Sequence, residues 1–240
     1  MSSLSEGLND RLLSPNESGF DPALLVPLLR LLAKGEPVPV TELARAAGRS
    51  EQATRAALAA TPETEYDEED RIVGHGLTLR PTRHRFTVNG EELYTWCALD
   101  TLMFPVVIDS AAVIESISPT GGGTVRVTAT PAGVTVAEPA TAVVSLVNPE
   151  DLSSIRSSFC NQVHYFTSPE DAQPWLEAHP GGEVLPVADA YRLAKDLAAT
   201  MLDQVDSGVA PTMDALAKGI AADRRRLHAP SICAFLRGLS

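Results

Sequence analysis

Cys97 and Asp100 lie three residues apart in YTWCALDTLMFP (94–105), a stretch otherwise rich in apolar residues. On a helix that spacing puts the thiol and the carboxyl on one face. A second thiol, Cys160, follows 63 residues later in SSFCNQVHYF, which reads as an apolar strand. Two thiolates and one carboxylate can make a soft-metal site, because thiolates select soft ions while a single oxygen ligand leaves the geometry open. A structural zinc site is disfavoured, since it usually takes four ligands in paired short spacings and none are present. A cysteine nucleophile would need a base; His164 stands four residues from Cys160, on the same side of a strand. The plain alternative is that Cys97 is a small buried hydrophobe and Asp100 a cap or surface residue.

The elements that must position these groups are readable from hydrophobic period and turn chemistry. Residues 21–33, DPALLVPLLRLLA, have helical apolar spacing behind Asp21, which can cap, and Lys34-Gly35 with Pro37 reads as a stop. Thr41 can cap a short second helix, Gly48 supplies a turn, and Ser50 can cap a third helix carrying Ala53, Ala57 and Leu58 on one face. This is a helix-turn-helix pattern. The acidic run TPETEYDEED (61–70) reads as a loop. From residue 72 the period becomes two: HRFTVNGEELYTW alternates around Asn89-Gly90, a hairpin signal, and TVRVTAT, VTVAEP and AVVSLV repeat the strand pattern. SPEDAQPWLEAH reads as a capped helix, 186–205 as a longer one, and TMDALAKGIAADRRRLH as another.

These signals predict an α+β fold: a helix-turn-helix or winged-helix-like N-terminal region (1–70), a core (71–206) built on a mixed, largely antiparallel sheet with flanking helices, and a helical C-terminal extension (207–240). A 240-residue chain, 44% hydrophobic and 21% charged, can bury a full core. Asp109 and Glu115 interrupt the apolar segment around Leu102 to Ile114, and the N-terminal sequence lacks a basic region before an apolar run, so neither membrane spanning nor secretion is expected. Three widely spaced cysteines, Cys97, Cys160 and Cys233, form no disulfide framework and suit a reducing cytoplasm. A net charge of −12 repels polyphosphate, which weakens any reading as a nucleic-acid binder.

The W-C-A-L-D-T-L-x-F-P block, followed 63 residues after its Cys by SFCNQVHYF, resembles the bacterial organomercurial (alkylmercury) lyases. GLTLRPT before the first Cys, EPATAVVSLVNPED between the two cysteines and the helix-turn-helix-like start fall in that family's order, over roughly residues 20–200. The resemblance implies that Cys97, Asp100 and Cys160 are the catalytic residues and the ligands of mercury. It departs at Ser118 and Asn161, where many members carry further cysteines. The implied reaction is protonolysis of R–Hg⁺ to R–H and Hg²⁺, with Asp100 as proton shuttle between thiol and carbon. No cofactor is implied; Hg²⁺ is the bound product, and small thiols or a mercuric reductase would carry it away. Trp96, Leu99, Leu102 and Phe104 are the candidate apolar surroundings of Asp100, with ordinary core packing as their alternative role.

The rival reading is a metal-responsive DNA-binding regulator, with Arg45, Arg49 and Arg55 on phosphates. Glu42 and Glu51 dilute that patch, so a packing role for the helices is favoured and no specific nucleic-acid partner is expected. A lyase-like protein recruited to metal carriage is the other alternative, but carriage needs thiols and no proton donor. Arg224-Arg225-Arg226 fits a helix C-terminal turn and Cys233 a packed terminal helix.

Overall fold

The computed structural model describes residues 21–61, 63–150, 152 and 154–207, together with 8, 11 and 12. The expected C-terminal helix, Arg224–Arg226 and Cys233 lie outside the described residues. Helix α1 (Pro22–Leu32) begins with Pro at its first position, where the missing N–H costs nothing, and buries Leu24, Leu25, Leu28, Leu29, Leu31 and Leu32. Asp21 does not cap it; the carboxylate instead takes Arg49 at 2.5 Å, tying the start of α1 to the turn after α2 (Val40–Ala46). Thr41 does not cap α2 either, because the helix already starts at Val40 behind Pro39. Ser50 does cap α3 (Glu51–Ala60), its hydroxyl accepting from the Ala53 N–H at 3.2 Å.

The acidic run after α3 is not wholly a loop: Glu65–Tyr66 forms β1, paired with β2 (Ile72–His75). The main sheet continues through β3 (Leu77–Thr78), β4 (His84–Val88), β5 (Glu91–Thr95), β6 (Ala112–Ile117), β7 (Thr124–Ala129) and β8 (Val134–Glu138). Its spatial order is β1-β2-β3-β5-β4-β6-β7-β8, and every described pairing is antiparallel. Asn89 and Gly90 both take positive φ (53° and 88°), the geometry of the tight hairpin turn that joins β4 to β5. A second, three-stranded sheet sets β9 (Val143–Leu146) between β10 (Tyr165–Phe166) and β11 (Glu183–Pro186).

Helix α4 (Ala98–Val107) is buried on nearly every side, as an all-round apolar sequence requires. It packs against α7 (Val187–Asp206), whose buried Ala190, Tyr191, Leu193, Ala194, Leu197, Ala198 and Met201 recur at three- and four-residue steps. α1 packs on α7, α4 and β2, so the N-terminal helices and the sheet share one continuous core. No helix among the described residues is long and apolar enough to cross a membrane.

The segment around Cys160 departs most from expectation. It is not a strand: α5 (Ile155–Ser158) leads into a single 3-10 turn, Cys160–Gln162, and the strand starts only at Tyr165. Its serines explain the difference, since the Ser157 and Ser158 hydroxyls both donate to the Ser154 carbonyl and so favour a local turn over a ladder. Helix α6 (Gln173–Ala178) is correspondingly short, after a turn in which the Ser168 hydroxyl accepts from the Asp171 N–H.

Candidate active site

Cys97 ends the run of β5 and is the N-cap of α4. In a capping box, the Asp100 N–H donates to Cys97 Sγ at 3.4 Å and the Cys97 N–H to Asp100 Oδ2 at 3.1 Å. A sulfur thus stands where serine or threonine is usual, and the carboxyl is held beside it. The Cys160 turn is brought to the same place by three bonds: Ala98 N–H to the Val163 carbonyl at 3.0 Å, Ser145 Oγ to the Gln162 carbonyl at 2.9 Å, and Tyr165 Oη with Thr101 Oγ1 at 2.7 Å. One ligand atom each from Cys97, Asp100 and Cys160 then lie within 4.8 Å of one another, a set able to hold a soft metal ion.

Asp100 and Cys160 face a small, partly open cleft walled by Leu25, His75, Trp96, Met103, Phe104 and Ile155. Cys97 is fully buried next to them. Trp96 and Phe104 line the cleft as expected; Leu99 and Leu102 are buried in the core and do not. His164 is not among the gathered donors; it stacks on His84 with ring centroids 6.0 Å apart, so the structure builds no cysteine–histidine pair.

The enclosure sets the protonation states. Burial pushes the Asp100 carboxyl up to about 6, against the hydrogen bonds from the Cys97 thiol and backbone that favour its charged form. Burial also drives Cys97 well above the usual thiol range, helped by its hydrogen bond to Cys160 and by the nearby carboxylate. For Cys160 the hydrogen bond from Cys97 works downward and Arg156 adds to it, but burial with Asp100 and Glu63 outweighs both and leaves it raised. The resting site therefore holds two thiols beside a carboxylate at neutral pH.

Sequence reasoning missed the polar rim. Glu63 accepts from the Arg156 N–H at 2.9 Å and from Ser154 Oγ at 2.7 Å, while Glu65 accepts from Thr78 Oγ1 at 2.5 Å and pairs with the Arg156 guanidinium. That guanidinium lies 4.6 Å over the Trp96 ring. His75, buried on β2, meets Trp96 edge-on at 5.1 Å. None of these residues has a spacing that marks it; the fold alone assembles them.

Two buried thiols and a carboxyl, opening on an apolar cleft beneath a helix-turn-helix unit, define a soft-metal enzyme site. Family models match the chain along nearly its whole described length: the helix-turn-helix domain of alkylmercury lyase at residues 3–76 and alkylmercury lyase at 77–199. Curated relatives named alkylmercury lyase include one from Streptomyces lividans, 53% identical over 75% of this chain and 84% of its own length. Another, from Pseudomonas putida, is 42% identical over 86% of this chain and 97% of its own length. A solved structure described as the mercury-bound form of MerB2 shares the fold, with a TM-score of 0.64 over 82% of this chain and 97% of that one at 24% identity. The chain is an enzyme of the alkylmercury lyase family.

Proposed function

We propose that this enzyme cleaves the carbon–mercury bond of R–Hg⁺ by protonolysis, with Cys97, Asp100 and Cys160 as its catalytic residues and mercury ligands. The observation that carries this reading is the buried cluster itself, three donors within 4.8 Å with the carboxyl and one thiol on the cleft. Cys160, which faces the cleft, captures R–Hg⁺ from its carrier thiolate: the new sulfur–mercury bond replaces the one to the carrier, and the Cys160 proton leaves with the departing thiolate as free thiol. Asp100, ionised at neutral pH, takes the proton from Cys97, its partner in the capping box, and the freed Cys97 sulfur joins the metal. Two sulfurs raise the electron density on mercury and weaken its bond to carbon. Asp100 then delivers the proton to that carbon; the carbon–mercury bond breaks, R–H leaves, and Hg²⁺ remains between Cys97 and Cys160. The burial that raises Asp100 makes it competent to hold the proton between the two transfers.

No further cofactor enters this scheme. Hg²⁺ bound by two sulfurs leaves to exogenous thiols or to a mercuric reductase, which suits a cytoplasmic enzyme. Among the described residues, α1 contributes Leu25 to the wall of the cleft, while the start of α4 and the Cys160 turn carry the chemistry. No specific nucleic-acid partner is proposed, a reading supported by the engagement of Arg49 with Asp21 and of Arg55 with Glu51. Sequence-selective DNA binding at physiological salt, measured by fluorescence polarisation, would contradict it. The reaction itself is tested by incubating purified protein and excess thiol with methylmercury or phenylmercury and measuring methane or benzene in the headspace; absence of hydrocarbon from both would sink the proposal.

A further inference from the structure

Cys160 stands in a single 3-10 turn behind α5, a four-residue helix whose N-cap Ser154 makes no capping bond with its own side chain. The oxygen that an N-cap residue would offer to the N–H two places on comes from elsewhere. Glu63 Oε2 accepts from the Arg156 N–H at 2.9 Å across 93 residues of sequence, and Glu63 Oε1 accepts from Ser154 Oγ at 2.7 Å. Both oxygens of one carboxylate thus grip the start of the turn that carries the thiol. Glu63 does so from a left-handed backbone, φ 73°, which a residue with a Cβ adopts at a cost and keeps where its surroundings hold it. Two residues on, Glu65 takes the Arg156 side chain: one carboxylate oxygen pairs with the guanidinium, and the other accepts from Thr78 Oγ1 on β3 at 2.5 Å. The sheet leaves room for that carboxylate at Gly74, where a Cβ would stand 2.3 Å from Glu65 Oε2.

We infer that Glu63 is a positioning residue for the reaction: Glu63 and Glu65, between α3 and β2, clasp the Cys160 turn by its backbone and by its Arg156 side chain, and so keep the Cys160 sulfur within reach of Cys97. The inference rests on the lyase reading above. In that reading Cys160 captures the metal and must then share it with Cys97, which the capping box of α4 already fixes. The geometry of the two-sulfur stage therefore depends on how firmly the opposite turn is held. The bonds from Ala98 and Ser145 hold that turn at its far end, at Val163 and Gln162, whereas the clasp holds the end that precedes Cys160. Glu63 is not among the donors gathered around the metal site and acts through the turn alone. Misplacing a reacting group by about 1 Å can cost on the order of 10²-fold in rate, even when the change lies away from the chemistry.

The test compares E63A, E63G and E63Q with the unaltered full chain by two readouts. The first is iodoacetamide alkylation of Cys160 and Cys97, followed by peptide mass spectrometry, which needs no mercury. Cys160 should be modified about ten-fold faster in E63A and E63G with the Cys97 rate unchanged, because only the turn that carries Cys160 is released to open locally. Glycine relieves the left-handed backbone while deleting the carboxylate, so a loss of stability in E63A leaves E63G to decide. The second readout is methane release from methylmercury with excess thiol: kcat is expected to fall about ten- to a hundred-fold in both variants while KM stays within about two-fold, since capture precedes the step that needs both sulfurs. E63Q should match the unaltered enzyme in both readouts, because its amide oxygen can accept from the Arg156 N–H and its amide N–H can donate to Ser154 Oγ. Faster modification of both thiols together, a Cys160 rate unmoved in E63G, or E63Q as impaired as E63A would each overturn the clasp. Absence of methane from the unaltered enzyme counts against the lyase reading, while the alkylation pattern still decides the clasp.

Discussion

Asp100 is asked to do two things that ordinarily conflict. It must be charged to take a thiol proton, and it must hold that proton long enough to deliver it to carbon. Its position resolves the conflict: the Cys97 thiol and backbone N–H favour the carboxylate, while enclosure opposes them and lifts the carboxyl to about 6. An aspartate left at 3.8 would be a poor acid at neutral pH, and one raised much further would be a poor base. The sign of the pH dependence follows. Below about 6 the free enzyme carries Asp100 protonated and cannot relieve Cys97 of its proton, so kcat/KM is expected to fall as pH drops through 6. The check is a pH–rate profile from pH 4.5 to 8 with methylmercury and excess thiol; a flat profile through that range would remove Asp100 from the role of base.

At the scale of elements, the site is a junction between the N-terminus of α4 and the turn before β10, and much of one side was legible in the sequence. The C-x-x-D spacing on a helix, the Asn89-Gly90 hairpin and the Ser50 cap follow from local rules, because each depends on residues a few positions apart. The Cys160 side was misread as strand. Phe159 and Val163 flank it with apolar residues, but serine hydroxyls turn the chain locally and Ser145, far away in sequence, captures the turn at Gln162 and His164. His75 and the Glu63–Arg156–Glu65 rim escaped notice for the same reason, since their meaning lies in contacts made only once β1 and β2 are docked. The Tyr165–Thr101 bond is a side-chain tie between the two sides, with Thr101 already donating to the Ala98 carbonyl at 2.7 Å and so accepting from the phenol. Tyr165→Phe should lower stability by about 1 kcal/mol, the usual net worth of such a bond, and reduce turnover several-fold while Hg²⁺ still binds. Urea denaturation and steady-state rates check this; unchanged values for both would show that the tie does not hold the two thiols in register.

The whole molecule adds a pH signature of its own. His75 and His164 are held at about 4 and His84 well below the usual imidazole range, each chiefly by burial, in the neutral form. Relative to an unfolded value of about 6.5, each contributes stability that is present above 6.5 and lost as pH falls toward 4. Asp100 works in the opposite sense over the same window, since its raised pKa contributes stability below 3.8 that is lost as pH rises through 6. Three groups outweigh one, so the urea midpoint should be lower at pH 5 than at pH 7, and His164→Asn should make that dependence shallower. A midpoint that rises on acidification would contradict the neutral, buried histidines. One continuous core joins α1 to α4 and α7, and α1 adds Leu25 to the wall of the cleft.

The central claim is that Asp100 moves the proton while two sulfurs hold the metal. The most direct measurement is hydrocarbon release from phenylmercury by Asp100→Asn, made on a preparation whose Hg²⁺ stoichiometry is determined alongside. The amide keeps the shape and an oxygen but cannot shuttle a proton at neutral pH. The account predicts one Hg²⁺ held per chain, as in the unaltered enzyme, with benzene release slowed on the order of 10²–10⁴-fold, the usual contribution of general acid–base catalysis. Benzene released at the unaltered rate would contradict it and transfer the proton's origin to a thiol or to water.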